Sequence, residues 1–179
     1  MSDMEPCERT DIVIVGGGFG GMNVALALDS RLKRGLKAEV TLISRSNFFL
    51  FTPLLVEVAA ALVESRHVVN PIRRMLDRVR FIEGTVQTFD PVRRTVGFVD
   101  QNGRSRLLSY QHCVLAPGSV AEFFGIHGLA ENALTLKTLG DAIRIRRMLD
   151  RVRFIEGTVQ MFDPVRRTVG FVDQNGRSR

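Results

Sequence analysis

Three glycines at a fixed spacing are the residues of this chain best suited to hold a ligand. Gly16, Gly18 and Gly21 fit the pattern G-x-G-x-x-G, directly after the β-branched run Asp11–Val15 and directly before the apolar periodic segment Met22–Leu32. The pattern predicts a strand, a tight turn and a helix whose free N–H groups and partial positive charge bind a diphosphate. A glycine-rich turn with a purely structural role is the alternative.

Each glycine of the pattern has its own predicted role. Gly16 permits the sharp turn out of the strand, Gly18 lets the backbone approach a diphosphate, and Gly21 lets the helix pack closely on the strand. We assign two further residues of the same loop, Phe19 and Gly20, to the ligand site. The glycines favour dinucleotide binding more strongly in this context, because they follow a predicted strand and precede a predicted helix and a second strand.

The second predicted strand, Glu39–Ser44, departs from the usual pattern at its end. Dinucleotide-binding folds place Asp or Glu there to bind the ribose hydroxyls, whereas this chain has Ser44 followed by Arg45. Because a serine makes only a neutral hydrogen bond, we expect binding to be weaker by about 1–2 kcal/mol. Arg45 faces a phosphate or the adenine, or it is a solvated surface arginine.

Composition excludes several other classes of function. The chain has 179 residues, 45% of them apolar and 25% charged, which is typical of one globular domain. Two cysteines without a CxxC pair and three scattered histidines predict no disulfide scaffold, no dithiol redox centre and no metal site. We interpret Cys113 as a small buried hydrophobic residue. The segment Met1–Thr10 does not have the apolar core of a secretory signal.

The chain contains a near-copy of part of itself. Residues 145–179 match residues 72–106 at 34 of 35 positions, with Thr88 replaced by Met161. A recent duplication, a recombination product or an assembly error is the simpler interpretation, and a repeated binding unit is the alternative. Each copy holds eight arginines and four acids, so the net charge of +6 would be +2 with one copy. The basic character is therefore no sign of a nucleic-acid partner, and we expect none.

The glycine loop and four later segments occur together in the order of one known family. These segments span residues 46–59, 79–106, 112–119 and 124–146. Over about residues 11–146 the chain resembles type II NADH:quinone dehydrogenases and related FAD-dependent pyridine nucleotide-disulfide oxidoreductases. The resemblance implies an α/β fold: a Rossmann-like FAD-binding domain with a parallel sheet, helices and an antiparallel β-meander. We expect residues 1–144 to form an incomplete, N-terminal part of this domain and residues 145–179 to be the near-copy.

The resemblance also implies roles for individual residues. The glycine loop would hold the FAD diphosphate, Ser44 and Arg45 would lie by the adenosine ribose, and the backbone of Val86 would face the adenine. The residues implied beside the flavin end of the cofactor are Pro53, Leu54, Ala116, Pro117 and Gly118. Pro117 stands where the family has threonine, which removes both a hydroxyl and an N–H donor. A plain core helix start is the alternative for the segment around Pro53.

In the family, NADH reduces FAD and the electrons pass to a quinone. The NADH-binding unit of the family follows position 146, where this chain carries its near-copy, so we expect no turnover by this chain alone and assign no catalytic residue. Two alternatives remain: a non-catalytic relic or chimera that binds little, and a lone NAD(P)-binding module. By family analogy we expect a cytoplasmic protein associated peripherally with the inner face of the plasma membrane.

Overall fold

The computed structural model describes residues 8–150, 157–163 and 168–173. It begins with the expected strand, helix and strand: β1 (Glu8–Val15), α1 (Phe19–Lys33) and β2 (Val40–Ser44). β1 and β2 pair in parallel, with Ile12 opposite Val40. The predicted glycine turn lies between β1 and α1.

Three further strands form the expected meander. They are β5 (Arg80–Asp90), β6 (Thr95–Asp100) and β7 (Ser105–Leu115). β5 first pairs in parallel with β2 and then antiparallel with β6, and β7 first pairs antiparallel with β6 and then in parallel with β1. The five strands therefore close into a barrel in the order β1, β2, β5, β6, β7. The predicted combination of a parallel sheet and an antiparallel meander is confirmed.

Shorter elements cover the segment between β2 and β5 and the segment after β7. The first group consists of β3 (Phe48–Leu50), a 3-10 turn (Thr52–Leu54), α2 (Leu55–Ala59), a second 3-10 turn (Ser65–Val68), β4 (Val69–Pro71) and α3 (Ile72–Met75). The second group consists of α4 (Leu129–Asn132), α5 (Leu139–Leu149), β8 (Gly157–Asp163) and β9 (Thr168–Asp173). Within the described residues, no helix combines the length and apolarity needed to cross a membrane.

Alternate residues of β1 belong to two different hydrophobic clusters. Ile14 faces α1 and packs with Met22, whereas Val13 faces the barrel interior and packs with Phe98. Side chains of successive strand residues point to opposite faces of a sheet, so β1 is buried on both sides. Cys113 is half-buried against the barrel cluster, and burial raises the pKa of its thiol.

The buried face of α1 contains a carboxylate. The apolar stripe of Val24, Leu28 and Leu32 is only partly buried, and the deeper face consists of Met22, Ala25 and Asp29. One oxygen of Asp29 accepts hydrogen bonds at 3.0, 2.6 and 3.0 Å from three consecutive backbone N–H groups, those of residues 77–79. The Lys33 ammonium lies 2.9 Å from the other oxygen. Asp29 thereby attaches α1 to the chain just before β5.

The pKa of Asp29 reflects these contacts. Burial of the carboxyl raises the pKa, but the Lys33 ammonium and the three backbone N–H groups stabilise the charged form and outweigh burial. The pKa is lowered from 3.8 to about 2. Asp29 is therefore ionised at neutral pH.

Candidate dinucleotide site

The ends of three strands meet at the glycine loop. The Gly16 N–H donates to the Ile43 carbonyl at 2.8 Å, and the Ala116 N–H donates to the Val15 carbonyl at 2.8 Å. These bonds bring the carboxyl ends of β1, β2 and β7 together. In α/β folds, ligands commonly bind outside the carboxyl ends of parallel strands.

Two of the patterned glycines are required by the fold itself. Gly16 has φ +106°, and a Cβ on it would overlap the carbonyl oxygen of Ala116. A Cβ on Gly21 would overlap the carbonyl oxygen of Gly16. The structural alternative for the loop therefore accounts for Gly16 and Gly21 without any ligand.

Gly18 is different, because nothing in the fold requires a glycine there. Its φ is −80°, which any residue adopts, and a Cβ built on it would have no atom of the described part of the chain within 4 Å. The space in front of Gly18 is open. A side chain at this position would project into the volume where a diphosphate at the helix end would lie.

The start of α1 also lacks an acceptor of its own. Gly18 is the N-cap residue, no side chain caps the helix, and the first turn holds no acidic residue. The Met22 N–H donates to the Gly18 carbonyl at 2.9 Å, so the helix proper starts there. The N–H groups before Met22 and the partial positive charge of this end suit a bound anion.

Ser44 is buried against the loop at the end of β2. Its hydroxyl accepts the Ser46 N–H at 3.3 Å, and it retains its own proton to donate. A Cβ on Gly17 would lie 2.6 Å from the Ser44 hydroxyl oxygen and 2.9 Å from the Ile72 Cδ1. Sequence reasoning did not assign Gly17, although the run of three glycines was the signal for it. Arg45 is exposed.

Three phenylalanines place the segment before α2 beside the loop. The Phe19 ring, at the start of α1, lies 5.0 Å from the Phe49 ring and 5.5 Å from the Phe51 ring, measured between centroids. Pro53, two residues after Phe51, is exposed, and Leu54 is half-buried. α2 then packs in a third hydrophobic cluster, whose buried residues are Leu55, Val58, Ala59, Val68 and Ala142. The segment both starts a core helix and leaves residues accessible beside the loop.

The remaining predicted residues lie past the same strand ends. Glu83 is the register partner of Ser44, and Val86 follows three residues later on β5, half-buried and opposite Phe98. Ala116 contacts the glycine loop directly. Pro117 and Gly118 follow it, both exposed. The structure thus brings the loop, the end of β2 and the turn after β7 together. The ligand contacts of these residues stay a prediction.

Comparison with known proteins decides the family. The sequence matches the family described as pyridine nucleotide-disulphide oxidoreductase over residues 10–158. The chain belongs to this family. Pyridine nucleotide-disulphide oxidoreductases of this kind are FAD-dependent flavoproteins with a Rossmann-like fold, so the predicted fold class and family are confirmed.

Curated relatives within the family are NADH dehydrogenases. The chain is 30% identical over 155 residues to the mitochondrial external alternative NADH-ubiquinone oxidoreductase of Yarrowia lipolytica, covering 81% of this chain and 26% of that protein. It is 30% identical over 166 residues to the type II NADH:quinone oxidoreductase of Mycobacterium tuberculosis, covering 91% of this chain and 34% of that protein. The chain therefore spans about a quarter to a third of the length of these relatives.

Solved structures give the same result. NDH2 from Plasmodium falciparum, solved in complex with RYL-552, superposes with a TM-score of 0.69 at 28% identity, covering 78% of this chain and 28% of that chain. The sulfide:quinone oxidoreductase of Aquifex aeolicus superposes with a TM-score of 0.63 at 27% identity, covering 80% of this chain and 32% of that chain. The predicted resemblance to type II NADH:quinone dehydrogenases is confirmed.

Proposed function

We propose that this chain binds FAD, with the diphosphate at the loop of residues 16–21. The observation that carries the proposal is the open space at Gly18. Gly16, Gly17 and Gly21 are needed by the fold, whereas no atom of the described residues requires a glycine at position 18, which supports a ligand in front of it. The uncapped start of α1 supplies N–H donors to the same space. The family, whose members are FAD-dependent, identifies the dinucleotide.

The other predicted residues have separate parts in this proposal. Ser44 donates its hydroxyl proton to an adenosine ribose oxygen, and Arg45 lies exposed where it can reach the ribose or a phosphate. The backbone of Val86 borders the adenine. The flavin end of the cofactor is bordered by Pro53, Leu54, Ala116, Pro117 and Gly118. A bound flavin would supply the ability to accept a hydride, and the protein groups would bind and orient it.

The role of the whole protein is a wider proposal. We infer that residues 1–144 are part of the FAD domain of an NADH:quinone oxidoreductase, with NADH as reductant, a quinone as acceptor and peripheral association with a membrane. The pattern G-x-G-x-x-G occurs once in the 179 residues. We therefore expect these residues by themselves to bind FAD without NADH–quinone turnover, since hydride transfer needs both rings in contact.

The test is a direct measurement of bound flavin. The purified chain is incubated with FAD, passed through gel filtration and examined by visible absorption, with parallel titrations of FAD and NADH followed by fluorescence. We expect retained flavin absorption at less than one FAD per chain, because Ser44 replaces an acidic residue, and no NADH binding. Colourless protein that binds neither nucleotide would support the non-catalytic relic. NADH binding without FAD binding would support the lone NAD(P)-binding module.

A further inference from the structure

None of the residues assigned to the proposed FAD site belongs to the second copy of the repeated segment. In the first copy, the strand pair β5 and β6 lies between β2 and β7 and completes the barrel. In the second copy, β8 and β9 pair with each other as a separate two-stranded sheet. A two-stranded hairpin is marginally stable by itself, and it gains most from joining further strands.

The two hairpins have the same internal register. Gly84 lies opposite Asp100 in the first, and Gly157 lies opposite Asp173 in the second, which are the same residues 73 positions later. Each hairpin also has one β-bulge, and the two bulges fall at corresponding places. The barrel is therefore not needed to set the register, because the second hairpin has this register outside it.

β6 contributes two buried side chains to the interior of the barrel. Val96 and Phe98 are 0% and 2% exposed in the barrel cluster. The corresponding residues of the second copy are Val169 and Phe171, which are the same amino acids. The second copy thus carries the apolar side chains that the place between β2 and β7 accepts.

The one difference between the copies lies away from that interior surface. Thr88 is exposed on β5, and its counterpart is Met161. A larger side chain at an exposed position removes no core contact. The sequence difference therefore does not prevent the second copy from occupying the place of the first.

We propose that the place between β2 and β7 is a binding site for one strand pair, and that the pair β8 and β9 of the same chain is its alternative occupant. The first copy is favoured because Asp29 binds the three N–H groups of residues 77–79. The second copy begins inside α5, where Ile145 is partly buried against the third hydrophobic cluster. Because β5 and β6 fill this place in the barrel, the second strand pair occupies it only when the first pair is released.

Matched substitutions in the two copies test this proposal. Phe98→Asp places a charge in the barrel and expels the first copy, and Phe171→Asp makes the same change in the second copy. We expect F171D alone to unfold in urea at the wild-type midpoint. F98D should keep a cooperative transition at a lower midpoint, and the double variant should lose that transition. Far-UV circular dichroism follows the unfolding.

Hydrogen exchange locates the occupant. In F98D, amides of residues 168–173 should become slow to exchange while those of residues 95–100 become fast, and the substituted residue distinguishes the two peptides by mass. Sedimentation should show a monomer. The proposal would be overturned if F98D and the double variant both lost the cooperative unfolding transition, because the second copy would then give no rescue. It would also be overturned if both variants kept the transition, because the rescue would then not depend on Phe171. A rescued F98D protein that is dimeric would also overturn it, because the occupant would then come from a second chain.

Discussion

Replacing Gly18 with alanine separates the needs of the ligand from the needs of the fold. The new methyl group would enter open space, and φ of −80° suits alanine, so the native state is not strained. Alanine is a poorer N-cap than glycine, which lowers the free energy of unfolding by about 0.5–1 kcal/mol. Alanine also restricts the backbone of the unfolded chain, which raises the free energy of unfolding by about 0.4–1 kcal/mol. We therefore expect the free energy of unfolding to change by less than about 0.5 kcal/mol.

The effect on FAD binding should be much larger. A methyl group at Gly18 moves the diphosphate away from the N–H groups of the α1 start, which lengthens one or two hydrogen bonds to a charged group. Such bonds contribute about 1.5–3 kcal/mol each, so loss of one raises the Kd for FAD by about 10- to 100-fold. Fluorescence titration of G18A and of the wild type with FAD measures the ratio.

Gly16→Ala is the matched control for this experiment. Its methyl group would overlap the Ala116 carbonyl oxygen at a residue with φ +106°, so we expect a loss of stability of about 3 kcal/mol or more. Urea unfolding of both variants without FAD checks the contrast. Wild-type FAD affinity in a folded G18A protein would refute the placement of the diphosphate, and a G16A protein as stable as the wild type would refute the described loop geometry.

The remaining predictions concern Asp29 and Ser44. The folded pKa of Asp29 is depressed from 3.8 to about 2, so its charge contributes about 2 kcal/mol of stability above pH 4, and this contribution is lost as the pH falls toward 2. Asp29→Asn should lower the free energy of unfolding by about that amount at pH 7 and by less at pH 3, as measured by urea unfolding; an equal loss at both values would contradict the assignment. Ser44→Ala should raise the Kd for FAD by about 3- to 10-fold, the effect of one neutral hydrogen bond, and an unchanged Kd in a titration would exclude Ser44 from the ribose contact.

The glycine loop could be predicted because its signal is local. The strand, the turn and the helix all lie within residues 8–33. The role of Asp29 could not be predicted in this way, because its partners lie about 50 residues away in the sequence. Periodicity favoured the apolar stripe of α1 as the buried face, whereas the deepest face includes this carboxylate and depends on the approach of β5.

The repeated segment shows the same limit within one chain. Residues 72–75 form a single helical turn before the chain extends toward β5, whereas the identical residues 145–148 lie within the eleven-residue helix α5. The sequence of these residues is the same, so the difference comes from their surroundings. Asp29 holds the N–H groups that would continue the first helix, and the capping box of Thr138 and Asp141 starts the second several residues earlier.

Because β5 and β7 each run through both the parallel sheet and the meander, the edge that carries the glycine loop and the opposite end of the barrel belong to a single cooperative unit. Neither end of the barrel can open without breaking the hydrogen-bond ladders of β5 and β7 that also support the other end. Loss of β6 from the barrel without a replacing strand pair would thus deprive the glycine loop of its support, and saturation with a dinucleotide would in turn lower the population of molecules in which β6 is open.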